Sequence, residues 1–195
     1  MSPKHYQIDL IDLMSSGNLG PFQLGKTTKQ DVVGSWDGEP QYYSDRTVNY
    51  SGIQLNFKDD TEVLTRILFR APMTGTSKDP SNFLDIEGAT ISPSLNDISS
   101  ILNLAKIFNK LLNFKVYSRT DRSGTIFHSR FVYAVCSAYS KNRLRFLVIG
   151  LPKDIIEYTS TLSNVECIYD STIENQSFKE LLRTLSQLEN LYFDF

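Results

Sequence analysis

The segment that begins at Gly20 and ends at Thr27 reads GPFQLGKT and fits the phosphate-binding pattern G-x-x-x-x-G-K-[ST]. In such a loop the backbone amides would surround a phosphate, Lys26 would reach the outer phosphates, and the Thr27 hydroxyl would bind magnesium. The context fits less well, because a Ser/Gly/Asn turn precedes the segment where a buried strand is needed, and Pro21 removes one amide. We therefore predict a turn that leads into a capped helix, and a nucleotide-binding enzyme is the second alternative.

The residues needed for other common active sites are scarce. The two histidines, His5 and His128, are far apart in the sequence, and neither cysteine has a second Cys or a His at metal-ligand spacing. The sequence therefore offers almost no residues from which a Ser-His-Asp triad or a histidine-based zinc site could be built. We expect no catalytic residues, no metal and no cofactor, and we expect Cys136 and Cys167 to be buried free thiols.

Basic residues are concentrated in one part of the chain. Residues 114–153 hold eight Lys and Arg residues against a single Asp, although the chain has a formal net charge of −2. Arg143 and Arg145 are two apart in a predicted strand, so we expect both on one face, opposite Leu144 and Phe146. The candidate partner-binding residues of this stretch are Arg119, Arg122, Arg130, Lys141, Arg143 and Arg145.

This basic stretch, residues 114–153, allows three interpretations. It could bind nucleic acid through phosphates and through stacking on nearby tyrosines. The same charge could attract an acidic protein partner. Alternatively, the acidic residues of segment 157–174 could neutralise it within the molecule.

Trp36 is the only tryptophan and a further candidate for partner binding. Tryptophan buries a large apolar surface in protein cores and is also enriched among interface hot spots. We expect Trp36 to cover the core of the N-terminal half, with an interface role as the alternative.

Hydrophobic spacing and turn residues predict the elements that would position these residues. Alternating apolar residues predict antiparallel strands over 47–50, 53–57, 63–70, 114–119, 130–139, 143–151 and 165–170. Capping residues and helical spacing predict helices over 28–35, 94–113 and 152–158 and from 177 onward.

The order of these elements predicts an α+β fold, in which antiparallel sheets carry helices packed on one face. Each half of the chain is a capped helix followed by antiparallel strands, so the protein could consist of two similar lobes. We predict an N-terminal helix-plus-meander lobe over 1–72, a loop or linker over 73–93, and a C-terminal helix-sheet-helix lobe over 94–195. The two lobes could also form one continuous domain.

The sequence shows neither a secretory signal pattern nor an apolar run long enough to span a membrane. Asp9 and Asp12 interrupt the only apolar stretch near the N-terminus. We therefore expect a cytoplasmic protein with no membrane association.

One short segment suggests a relationship to known proteins. Gly25 and Thr27 precede Val32 and Val33, and Gly-Glu-Pro at 38–40 then leads into strands. Over about residues 22–69 this order resembles the helix-turn-sheet module of small bacterial proteins of the beta-lactamase-inhibitory-protein and outer-membrane-assembly-lipoprotein type. The chain lacks the lipobox cysteine of the lipoproteins, so their anchored role is not implied. The resemblance implies a protein-binding scaffold that contacts partners through a sheet face and its loops, as bacterial immunity proteins also do.

Together these observations predict a non-catalytic bacterial protein of the immunity or inhibitor type that acts on a protein partner. The first alternative is a nucleic-acid-associated protein that binds through residues 114–153.

Overall fold

The structure, a computed structural model, describes residues 5–72, 82–121, 123–160 and 162–190. This part of the chain holds five α-helices and a large antiparallel sheet, which confirms the predicted α+β class. The helices are α1 (Leu10–Ser16), α2 (Lys29–Ser35), α3 (Ile101–Phe108), α4 (Pro152–Ser160) and α5 (Phe178–Glu189). The strands are β1 (Tyr6–Asp9), β2 (Asn18–Leu19), β3 (Phe22–Gln23), β4 (Tyr42–Tyr43), β5 (Thr47–Tyr50), β6 (Ile53–Phe57), β7 (Leu64–Arg70), β8 (Ala89–Ser92), β9 (Lys115–Arg119), β10 (Gly124–His128), β11 (Val132–Ser137), β12 (Arg143–Gly150) and β13 (Val165–Asp170).

Nine of these strands form one antiparallel sheet, in the order β13-β9-β10-β11-β12-β7-β6-β5-β4. The two halves of the sequence meet inside it, where β7 pairs with β12 from Arg66 opposite Gly150 to Arg70 opposite Phe146. The sheet is therefore continuous across the junction of the two predicted lobes. The division into lobes, and their similarity to each other, stay predictions.

A small parallel sheet lies within the segment that we predicted to be a linker. β8 pairs with β1, with Tyr6 opposite Ala89 and Ile8 opposite Ile91. The Tyr6 N–H also donates to the Gly88 carbonyl at 2.9 Å. The second part of this segment is therefore ordered against the N-terminus, because Ala89 and Ile91 contribute alternate side chains to the core.

One face of the large sheet, which we call the core face, packs against α1, α2, α3 and α5. Strand residues such as Leu55 and Leu147 and helix residues such as Leu13, Leu104 and Leu185 belong to the same buried cluster. The helices therefore cover this face along most of the sheet, as the amphipathic sequence patterns predicted.

Helix α4 is the exception to the expected one-sided arrangement, because it packs on the opposite face, which we call the open face. Its Ile155 is buried with Ile126, Tyr133 and Val148 in a second, smaller cluster. These strand residues alternate with core-face residues, so they point to the other side of the sheet. The chain reaches this side directly after Gly150, where β12 ends.

Helix α3 is shorter than predicted. We expected a helix from the Ser94 and Asp97 pair onward, and the Ser94 hydroxyl does accept from the Asp97 N–H at 3.1 Å. That turn does not continue into a helix, because the Ser99 carbonyl accepts from the Leu144 N–H of β12 at 2.7 Å. The helix begins only after Ser100, which caps it.

The edges of the sheet are β4, which has two residues, and β13, whose pairing with β9 shifts register between Cys167 and Tyr169. The predicted buried thiol is correct for Cys136 but wrong for Cys167, which is exposed because it lies on this edge. Burial also raises the pKa of the Cys136 thiol.

None of the helices in the described part of the chain is long and apolar enough to cross a membrane.

Candidate partner-binding surface

The segment from Gly20 to Thr27 lacks the neighbours of a phosphate-binding loop. β2 and β3 form a two-residue hairpin around Gly20, and α2 is only seven residues long. The Thr27 hydroxyl accepts from the Gln23 N–H at 2.7 Å, so it closes a turn. Thr28 and Asp31 form the predicted capping box of α2. The segment is therefore a hairpin and a turn that lead into a short capped helix.

Trp36 is 5% exposed and lies in an aromatic cluster on the core side. Its ring is stacked on Phe22 at 5.7 Å and on Tyr50 at 5.3 Å, measured between ring centroids. The indole N–H donates to the Glu87 carbonyl at 2.8 Å. This position matches the core interpretation and leaves little of the indole available to a partner.

The predicted basic residues do not lie on one sheet face. The antiparallel course of β9 to β12 brings Arg119, Lys141 and Arg143 to one end of the sheet, which we call the basic end. Arg130 lies at the opposite end, in the turn between β10 and β11, with its guanidinium 5.2 Å from the Phe131 ring. Arg122 lies outside the described residues.

A β-bulge at Arg145 contradicts the expected arrangement of β12. Leu144 pairs with Cys136 and Phe146 pairs with Val135, so β12 has one extra residue at this point. Leu144 is therefore in the core, whereas Phe146 packs on the open face. The prediction that Leu144 and Phe146 share a face is wrong, because strict alternation holds only without a bulge.

The bulge places Phe146 in a strip of the open face that is only partly covered. Arg70, Phe146 and Val135 are direct neighbours across β7, β12 and β11. Gln54 and Leu68 form the next row toward β6. Phe146, Val135, Leu68 and Gln54 are half-buried, and Arg70 is exposed. We call these five residues the open-face patch.

Helix α4 bounds the patch on one side. The Tyr158 ring stacks on Tyr133 at 5.1 Å, and the Arg66 Nη1 donates to the Tyr158 hydroxyl at 2.8 Å. Tyr133 in turn lies 6.0 Å from the Phe146 ring. These contacts hold the phenylalanine in place, so the apolar centre of the patch is fixed by packing.

Side-chain amides bound the patch on the other side. The Asn56 Oδ1 accepts from the Gln54 Nε2 at 3.0 Å and from the Thr47 hydroxyl at 3.3 Å. Asn49 lies opposite Gln54, and its Oδ1 is shielded from solvent without a donor among the described residues. A shielded acceptor without a partner costs about 1–3 kcal/mol of folding free energy.

The Arg143 side chain is oriented by a buried serine at the basic end. Its Nε donates to the Ser99 Oγ at 3.1 Å, its Nη2 also bonds this oxygen, and the Ser99 Oγ donates to the Asn96 carbonyl at 2.8 Å. Ser99 itself is 3% exposed. The guanidinium therefore lines, in a fixed orientation, a groove of about 550 Å³ between the start of α3, the start of β12 and the end of α5.

One of the basic residues, Lys115, is neutralised by the acidic segment. Lys115 lies 2.7 Å from the Asp170 carboxylate. Burial raises the pKa of Asp170, but hydrogen bonds from Lys115 and Thr172 outweigh it and lower the pKa to about 2. Arg119 and Arg143, by contrast, make no ion pair with any residue that the structure describes.

The sequence predicted Arg143 and Lys141 as binding residues but missed Arg70, Ser99 and Gln54. Arg70 could have been noticed, because it ends a strand whose alternate residues are apolar. The position of Arg70 beside Phe146 could not have been predicted, since these two residues are distant in the sequence. Ser99 carries no signal of its own, because its role depends on the pairing of its backbone with β12.

Comparisons with known proteins give no relationship: no family model, no curated protein and no solved structure matches the chain. Groups of three or more His, Cys, Asp or Glu side chains able to hold a metal ion do not occur among the described residues.

Proposed function

We propose that the chain is a non-catalytic protein of the immunity or inhibitor type that binds a protein partner through the open-face patch. The supporting observation is the composition of this patch. Phe146, Leu68 and Val135 form a half-buried apolar centre, and Arg70 and Gln54 lie at its margin. Protein interfaces commonly combine an apolar centre with a polar rim, and aromatic residues and arginine are enriched in them.

The charges around the patch support a protein partner in preference to nucleic acid. A phosphate backbone needs a continuous basic track, because its charges repeat along the strand. In this chain Arg130 is at one end of the sheet, whereas Arg119 and Arg143 are at the other. Arg70 makes no ion pair with a described residue, so it is available to a carboxylate of another protein.

The bacterial and cytoplasmic setting, and the resemblance of residues 22–69 to inhibitor and lipoprotein modules, stay predictions. They are compatible with the proposal, since Gln54 and Leu68 of the open-face patch lie within that segment.

The proposal is tested by affinity capture from a lysate of the source organism, at low and high salt and with and without nuclease, followed by mass spectrometry. Wild type is compared with Arg70→Glu in the patch and with Arg130→Glu, a matched charge reversal of an exposed arginine at the opposite end. We expect one stoichiometric protein that survives nuclease and salt, is lost with Arg70→Glu and is retained with Arg130→Glu.

Capture of nucleic acid that disappears at high salt, without such a protein, would contradict the proposal and support the first alternative. Equal loss of the captured protein with both variants would show that the patch is not its binding site.

A further inference from the structure

The groove at the basic end has a guanidinium whose outer edge has no partner among the residues that the structure describes. Of the five N–H donors of Arg143, one on Nε and one on Nη2 go to the Ser99 Oγ. The other three, two on Nη1 and one on Nη2, have no acceptor among the described residues. One N–H on each terminal nitrogen therefore remains available on the same edge, which is the arrangement that binds the two oxygens of a carboxylate.

A second cation lines the same groove. Lys141 is exposed in the turn between β11 and β12, two residues before Arg143. The turn is anchored to α5, because the Asn142 Nδ2 donates to the Leu188 carbonyl at 2.5 Å. The backbone that carries both charges is thus fixed, although the Lys141 side chain itself can adjust to a ligand.

The groove walls also carry acidic groups, Asp97 and Glu189. Neither forms an ion pair with Arg143 or Lys141. They make the groove unfavourable for a chain of closely spaced phosphates, because successive negative charges would approach these carboxylates. A single carboxylate placed against the free edge of Arg143 meets no such repeated repulsion.

We propose that this groove is a carboxylate-binding site and that the protein partner inserts a single glutamate or aspartate side chain into it. The inference rests on the proposed function and specifies the chemistry of the partner. Arg143 binds the carboxylate through both terminal nitrogens, Ser99 holds the guanidinium in orientation, and Lys141 adds a second, adjustable contact. Arg143 starts β12, the strand that also carries Phe146 of the open-face patch.

The test uses the purified full chain and a blocked peptide that carries one glutamate between glycines and serines, with binding measured by calorimetry at low salt. We expect binding by wild type, at least about tenfold weaker binding by Arg143→Gln, and a change of less than about twofold for the matched control Arg130→Gln. Arg143→Lys keeps the charge but loses the two-nitrogen edge, so it should also bind several-fold more weakly. Thermal unfolding of each variant checks that the fold is intact.

Lys141→Asn is a second variant that does not depend on the Ser99 contact. It removes one of the two cations at a position where asparagine suits the backbone, so it should fold and bind the peptide more weakly than wild type. Absence of peptide binding by wild type, or equal binding by wild type and both groove variants, would overturn the inference. Stronger binding of a single-stranded oligonucleotide with the same dependence on Arg143 would also overturn it.

The capture experiment separates this inference from the proposed function. A protein partner that is lost with Arg70→Glu but retained with Arg143→Gln would leave the proposed function standing and refute the groove as its carboxylate site. Loss of the protein partner with both variants, together with binding of the single-glutamate peptide by wild type, supports both the proposed function and the groove as its carboxylate site.

Discussion

Lys141 and Asn142 both have left-handed backbone conformations, with φ of 54° and 52°. Asparagine tolerates this region, whereas a lysine there is uncommon and costs about 1 kcal/mol. A charged side chain is thus kept at a position where the local backbone would favour another residue. Conflicts of this kind between local backbone preference and residue type often occur at functional sites.

We predict that Lys141→Asn raises the free energy of unfolding by about 0.5–1 kcal/mol, because asparagine fits the left-handed conformation better. Chemical denaturation of wild type and variant measures the change. Lys110→Asn is the matched control, since Lys110 is also an exposed turn residue but has no left-handed φ. A gain of the same size in the control would mean that loss of charge, not backbone conformation, is the cause.

The ionisation of the Asp170 carboxylate predicts that the free energy of unfolding decreases at acidic pH. Its pKa is lowered from 3.8 to about 2 in the folded state, so the folded protein holds this group ionised at pH values where the unfolded chain binds a proton. The stabilisation is complete above pH 4 and is lost as the pH falls from about 4 to about 2. Asp170→Asn removes this contribution and should lower stability at neutral pH by about 1–2 kcal/mol, allowing for partial exposure of Lys115.

Denaturation curves of wild type and Asp170→Asn between pH 2 and pH 7 test this prediction. The difference between the two proteins should shrink in the interval between pH 4 and pH 2. A difference that stays constant through that interval would show that the variant acts through packing or hydrogen bonding and not through ionisation.

Among the elements, α2 and α5 form a natural comparison, because both start at a hydroxyl residue. Thr28 accepts from the Asp31 N–H and belongs to a capping box, whereas the Ser177 side chain makes no capping hydrogen bond. We predict that Thr28→Ala lowers stability by about 1 kcal/mol and that Ser177→Ala lowers it by less than about half of that. Thermal or urea denaturation of both variants gives the comparison, and equal losses would contradict it.

The elements also show where the sequence was sufficient and where it was not. Local patterns predicted the strands around Leu55 and the capped start of α2, because each depends on neighbours a few residues away. The late start of α3 depends on the pairing of residues 99–100 with β12, and the bulge at Arg145 depends on the pairing of β12 with β11. The binding surface was predicted only in part for the same reason: Arg143 stands out by its charge, but its orientation by Ser99 and its relation to Arg70 arise from long-range contacts.

For the whole molecule, the pairing of β7 with β12 predicts a single cooperative unit. Trp36 fluorescence reports on the N-terminal half, and the reactivity of the buried Cys136 thiol reports on the C-terminal half. In a Cys167→Ser background, where the exposed thiol is absent, we predict coincident urea midpoints for the two signals. Clearly separated midpoints would instead support two lobes that unfold independently.

The two edges of the nine-stranded sheet have a consequence for self-association. An open sheet can in principle be extended by strands of a second molecule, which leads to fibres or precipitates. Here β4 offers only two residues for such pairing, and β13 is irregular at Cys167 and carries the exposed Glu166 beside it. Both margins are therefore poor templates for strand addition. A wide sheet of this kind resists strand addition at its margins, so its face, not its margins, is open to other molecules.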